Sequence, residues 1–377
     1  MRDEIYMLWL SSMLHQLGSR KLNSLLACFG DAKEIFSASP SMLKSQVSLT
    51  DLALDVITKN RDLDYIEAIL QDMESKQMVY ISRNHYSFPA LLASIPDPPV
   101  GIFYIGELPA DDTHKIAVIG SRRCSEYGLL ASRLLAKPLA EHGIIIVSGM
   151  ARGVDSMAHR SALEGSGKTI AVLGCGADIC YPAENKHLRA AIIENGCVLS
   201  EYPPGQRPMA AFFPARNRII SGMCRAIIVA EAGKKSGTLI TVDQAAEQGR
   251  EVLAVPGNIM SPLSAGTNML IRDGAAPVTD YTDVLFALGL SAKIDTSQLD
   301  NVYAHGGNVT NKAKENAINS LAPEEKLLYD SLTFEPVSFD SLAITTKIAP
   351  GTLHYLCTTL ELKGLIKKLP GARFIKN

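Results

Sequence analysis

The sequence predicts an α/β fold: a mostly parallel sheet, covered on both faces, between an N-terminal helical segment and a C-terminal helical unit. Three observations carry that expectation. From 116 to 288, the short apolar runs IAVIG, IIIVSG, TIAVLG, AIIVAEA and EVLAVPG each enter a Gly-containing turn, with helical stretches between most of them. Strands apolar on both faces that alternate with helices belong to a parallel sheet buried on both sides. Residues 1–80 instead show apolar residues three and four apart, the helical spacing. Residues 321–377 read helix, helix, helix, hairpin, the outline of a winged helix.

At 377 residues the chain is too long for one ordinary core, so two or three domains are expected. Hydrophobic residues make up 47% and charged residues 20%, a globular composition. No apolar run approaches the roughly 20 residues of a membrane helix. The start, MRDEIYMLWLSS, places acids where a signal peptide carries basic residues. Seven cysteines, at 28, 124, 175, 180, 197, 224 and 357, are odd in number and include no CxxC pair. Reduced thiols in the cytoplasm are the expectation, with no disulfide framework, zinc site or membrane partner. A net charge of −2 means that any nucleic-acid binding must come from a local patch.

In chain order, LWLSSMLHQL and KLNSLLACF are helices punctuated at Leu17-Gly18-Ser19 and Phe29-Gly30-Asp31. Residues 1–80 carry 8 basic and 11 acidic residues, so this segment is not expected to bind DNA. The Pro-rich stretch 81–115 holds a short strand, GIFYIG, and the sheet region 81–290 has a further strand in CVLSEY. Polar residues 291–320, with 3 charges of each sign and no sustained period, read as a linker. Beyond it PEEKLLYDSL starts one helix, Ser338 caps a second, and Pro350 opens a third that ends at Gly364. LIKKL and ARFIK then form a ribbon turning at Pro370-Gly371.

Two tempting motifs fail on context. Gly165-Ser166-Gly167-Lys168-Thr169 resembles a phosphate loop, but a helix leads in and a strand leads out, the reverse of what that loop needs. Gly120-Ser121-Arg122-Arg123-Cys124 follows a strand but lacks the G-x-G-x-x-G spacing, so no dinucleotide cofactor is expected. There is no HExxH or GxSxG. Asp155 and His159 lie four apart at a helix start and read as a capping carboxylate and a packed imidazole, not an acid–base pair. No catalytic or metal-ligating set is expected.

What survives is arrangement. Ligands of open parallel sheets bind beyond the C-terminal strand ends, and there the chain places Arg122, Ser148-Gly149, Arg152, Lys186 and Ser236-Gly237-Thr238. Gly, Ser and Thr in such turns let backbone amides approach an anion, and Arg and Lys supply charge. The 29 residues from 202 to 230 add Arg207, Arg216, Arg218 and Arg225 with no acid, interleaved with Tyr202, Phe212 and Phe213. A cationic groove with aromatic faces suits single-stranded nucleic acid, although at least one of the two Phe residues reads as core.

Taken together, GSR (120–122), SGMARGVDSMAH (148–159), AVLGCGADICYPAEN (171–185), FPARNRIISG (213–222), SGTLIT (236–241) and GREVLAVPG (249–257) resemble the DNA-processing protein A (DprA/Smf) family, in that family's order. The resemblance implies an extended Rossmann-like fold that binds single-stranded DNA. It further implies a homodimer that helps the RecA recombinase onto DNA during natural transformation. The family's DNA pocket falls by position on Arg122, Lys186, Arg216, Asn217 and Arg218. Residues 1–80 resemble its sterile-alpha-motif (SAM)-like domain and 321–377 its winged-helix domain. Because TLHYLCTTLELKG offers no Arg or Lys before Lys363, the winged helix is open to a protein partner as much as to DNA.

Two rival readings are weighed. Gly237-Thr238 echoes the turn of nucleotide phosphoribohydrolases, but the following helix has Asp243 as its first acid and no matching Glu. A winged-helix transcription regulator is the other.

Overall fold

The computed structural model describes residues 2–290, 321–333, 336–363, 365–369 and 371–376. The expected linker 291–320, and the Gly364 and Pro370 positions, lie outside the described residues. The chain divides into two compact units, Met1–Ser291 and Ala292–Asn377.

The first unit is built on nine strands: β1 (Met78–Ser82), β2 (Gly101–Gly106), β3 (Lys115–Ile119), β4 (Ile145–Ser148), β5 (Thr169–Val172), β6 (Gly196–Ser200), β7 (Ala226–Val229), β8 (Glu251–Ala254) and β9 (Ala276–Pro277). Their order is β1-β2-β6-β5-β4-β3-β7-β8-β9. All pairs from β6 to β9 are parallel, and β1-β2 and β2-β6 are antiparallel. Strands β3 to β7 are buried at every residue, which is why they read as unbroken apolar runs rather than alternating ones. β1 and β9 carry no such run; pairing with β2 and β8 makes them strands.

The N-terminal helices begin where side chains accept first-turn amides: Asp31, Ser39, Thr50 and Asp62 cap four of them. Gly18 and Gly30, both at φ +77°, make the turns that end two others. Trp9, Leu22 and Ile57 share one apolar cluster with Phe103 and Val198 of the sheet. Polar contacts reinforce that packing, with Ser19 Oγ and Asn23 Nδ2 each donating to the Asp97 carboxylate at 2.6 Å.

The second unit has helices Pro323–Ser331, Phe339–Thr346 and Pro350–Leu362 with strands β10 (Val337–Ser338), β11 (Ile366–Leu369) and β12 (Arg373–Lys376). The antiparallel sheet runs β10-β12-β11, completing a winged helix. Ser338 caps its helix through the Ser341 N–H, and Pro350 occupies the first turn of the third. Leu328, Leu342, Leu353, Leu360 and Phe374 fill its core.

Candidate nucleic-acid interface

The strand order reverses at β3. The chain lays β4, β5 and β6 on one side, then returns to place β7, β8 and β9 on the other. Loops leaving β3 and β7 therefore part, and a crevice opens beyond their C-terminal ends. A cleft of about 680 Å³ lies there, lined by the Gly120–Arg123 loop, Asp155, Tyr181, Phe213, Asn217 and Ser236–Thr238 among others.

Buried bonds hold the β3 loop in place. Glu231, 1% exposed, accepts Ser125 N–H at 2.7 Å and Ser125 O–H at 2.6 Å. Its own carbonyl takes the Ser121 N–H at 2.8 Å. Arg122 and Arg123 consequently project from a fixed loop into solvent at the cleft. On the opposite wall Ser236 Oγ donates to Thr238 Oγ1 at 2.9 Å and accepts the Thr238 N–H at 3.2 Å. Ser236, Gly237 and Thr238 thereby line the cleft at the start of helix Thr238–Glu247, whose amide end favours an anion.

Of the expected contacts, Arg122, Arg216, Asn217, Ser236, Gly237 and Thr238 meet in this cleft. Arg216 is buried at 3% exposure, and its guanidinium is already spent. It donates to the Gly149 carbonyl at 2.9 Å, to the Val172 carbonyl and to Asn217 Oδ1 at 3.1 Å. Burial pushes its pKa down to about 10, against the pull of Asp155. It ties the ends of β4 and β5 together and adds positive potential beneath the cleft. Lys186 is exposed, makes no ion pair among the described residues, and stands outside the lining, opening helix Lys186–Glu194 just after the loop that carries Tyr181. Arg152 is exposed but paired with Glu184 of that same loop.

Three expected contacts lie elsewhere. Ser148 is fully buried and donates to the Val118 carbonyl at 2.7 Å. The Gly149 amide that was expected to receive a phosphate already holds an anion of the chain, donating to Asp155 Oδ2 at 3.2 Å. Burial raises the pKa of that carboxyl, with Arg216 opposing. Arg218, 6% exposed, faces away from the cleft in a bidentate pair with Glu201, both bonds at 2.7 Å. Its Nε donates to the Asp97 carbonyl at 2.9 Å, and it lines a second groove beside the N-terminal helices. Although burial opposes its charge, Glu201 and Asp97 hold its pKa above the usual value. Two arginines two residues apart on helix Phe212–Gly222 point to different sides, which charge counting along 202–230 cannot register.

The aromatics divide likewise. Tyr202 and Phe212 stack at 4.2 Å in the core, whereas Phe213 reaches the cleft. Asp155, Tyr181, Phe213 and Thr241 also line it; as site residues the sequence reading missed Tyr181 and Thr241, and it read Asp155 as a cap only. His159 is packed as expected: fully buried, with Nδ1 2.7 Å from Thr169 Oγ1. Because the Thr169 hydroxyl donates to the Ile146 carbonyl at 2.6 Å, Nδ1 carries the imidazole proton. Nε2 has no hydrogen-bond partner among the described residues, and burial, with Arg216 adding to it, pushes the His159 pKa down to about 3.

Residues 79–289 match the family described as DNA recombination-mediator protein A, and residues 312–372 match the DprA winged helix domain. The DNA processing protein DprA of Streptococcus pneumoniae is 49% identical over 198 residues, covering 52% of this chain and 70% of that protein. Protein Smf of Synechocystis sp. is 33% identical over 325 residues, 81% of this chain and 82% of its own. Among solved structures, S. pneumoniae DprA superposes with a TM-score of 0.65 at 38% identity, over 76% of this chain and 97% of that one. DNA processing protein A of Helicobacter pylori, whose structure concerns its single-stranded DNA binding mode, gives 0.51 at 31% identity over 56% of this chain and 95% of its own.

Proposed function

The chain belongs to the DNA recombination-mediator protein A (DprA/Smf) family, and from that premise we propose that it holds single-stranded DNA across the cleft at the strand-order reversal. The observation that carries this reading is the pairing, across one cleft, of exposed Arg122 and Arg123 with the Ser236-Gly237-Thr238 helix start. Arg122 and Lys186 contact phosphates directly, and Asn217 and the Ser236–Thr238 turn donate hydrogen bonds to them. Arg216 acts from below through its charge. The binding is non-enzymatic and needs no cofactor. A homodimer in the cytoplasm then passes the strand to RecA during transformation, a role that the matched family's description as a recombination mediator supports. No helix among the described residues is long and apolar enough to cross a membrane.

Fluorescence anisotropy with labelled single-stranded and duplex DNA at two salt concentrations tests the binding. Single-strand preference that weakens with salt and collapses in Arg122→Ala is expected. Equal, Arg122-independent affinity for duplex would refute it. For the recombinase step, RecA filament formation on DNA coated with single-strand-binding protein should speed up when the protein is added.

A further inference from the structure

Resting on the single-strand reading above, we infer that the strand path does not end in the cleft. It continues past Pro214 into the groove beside the N-terminal helices, where Arg20 and Lys21 take phosphates. That groove, of about 950 Å³, is bounded by helix Ser19–Phe29, the segment around Asp97, and the helices Phe212–Gly222 and Thr238–Glu247. It is a separate depression from the cleft, yet contiguous with it, because Pro214 lines both. From the start of helix Thr238–Glu247, Thr238 and Thr241 line the cleft, and Gln244 and Gln248 line the groove. Steps of three and four residues keep all four on one helix face. One wall therefore runs from cleft to groove, over about 15 Å of helix rise.

Bonds between the two helices close that wall. Gln244 Nε2 donates to the Pro214 carbonyl at 3.1 Å, and Gln248 Nε2 donates to the Arg218 carbonyl at 3.0 Å. Arg20 is exposed and Lys21 half-buried, and neither side chain has an ion-pair or hydrogen-bond partner among the described residues. Most other charges of the groove are already engaged. Arg218 Nε lies 3.3 Å from Asp97 Oδ2, and the same carboxylate accepts from Ser19 and Asn23. Glu247, exposed on the helix wall, is the exception, one free acid against two free cations. The acidic balance of residues 1–80 argued against DNA contact there, but a phosphate responds only to charges within about 10 Å. Asp51, Asp55 and Asp72 of that segment are paired with lysines away from the groove. A polyanion long enough to fill the cleft and pass Pro214 reaches Arg20 and Lys21; a shorter one does not.

The test uses the full chain and a length series of labelled oligothymidylates, with anisotropy read at several salt concentrations. Above a threshold length, the double variant Arg20→Ala, Lys21→Ala should lower the slope of log affinity against log salt by about 1.4. Its penalty should then shrink about sevenfold between about 50 and 200 mM salt. Below that length it should bind like wild type, whereas Arg122→Ala should flatten the slope at every length. Glu247→Lys should tighten binding of the longer oligonucleotides alone, a gain that misfolding cannot imitate. If the double variant matches wild type at every length while Arg122→Ala still flattens the slope, the extended path falls and the cleft reading stands. A loss of equal size at every length also refutes the extension. If Arg122→Ala changes nothing while the length-dependent loss persists, the groove stands and the cleft reading falls; if neither variant changes anything, both fall.

Discussion

Replacing Arg218 by Ala should cost stability and not DNA affinity. Arg218 is 6% exposed and Glu201 is 2% exposed. Between them run two bonds of 2.7 Å, with further bonds from Arg218 to the Asp97 and Ala215 carbonyls, both at 2.9 Å. Removing one partner of such a pair strands a buried carboxylate, at a cost of about 3–5 kcal/mol. For a domain of this order, at about 2–4 °C per kcal/mol, the melting temperature should fall by about 6–20 °C. Thermal unfolding followed by circular dichroism reads the first quantity. Anisotropy with single-stranded DNA, at a temperature where both proteins are folded, reads the second. Glu201→Gln should reproduce the loss of stability in part. Replacing both members by apolar residues, as in Arg218→Met with Glu201→Leu, should recover much of it, because neither charge is then left buried alone. A variant that melts within about 2 °C of wild type (less than about 1 kcal/mol) yet binds DNA tenfold more weakly would refute the reasoning. Arg218 would then be a phosphate ligand and its ion pair incidental.

Arg122→Ala should lower the slope of log affinity against log salt by about 0.7, so its penalty should shrink about 2.5-fold between about 50 and 200 mM salt; an unchanged slope removes Arg122 from the phosphate path. His159 has a native pKa of about 3 against an ordinary 6.5. Its depressed value contributes stability that is complete above pH 6.5 and lost as pH falls toward 3. Urea unfolding should therefore show about 2 kcal/mol less stability from this residue at about pH 5 than at about pH 7, a dependence that His159→Gln should flatten. In Gly149→Ala the new Cβ would lie 2.6 Å from Arg216 Nη2; displacing that guanidinium should cost about 1–3 kcal/mol, seen as a lower urea midpoint with an unchanged slope.

Much of this architecture was legible along the chain. The parallel strands declared themselves because burial on both faces demands continuous apolar runs, and their Gly-containing ends marked the rim. Arg122 and Ser236-Gly237-Thr238 followed, since anion-binding turns need small residues and cations close together in sequence. β1 and β9 were not legible, because they are strands only by virtue of the neighbours they pair with.

The sequence by itself determined the order of elements, the rim of strand ends and the types of residue gathered there, all properties that local spacing and burial impose on a chain. Only the tertiary structure decided which charges are free. Arg122 is held out in solvent, while the donors of Arg216 and Arg218, from one short helix, are already taken, by the carbonyl ends of neighbouring strands and by the Glu201 carboxylate respectively. Likewise Tyr181, 32 residues from Phe213 in the chain, joins it at 5.4 Å. The reason is range. A charge or a ring is available to a ligand only when nothing else in three dimensions has already claimed it, and partners brought together by sheet pairing leave no trace in the spacing of either segment.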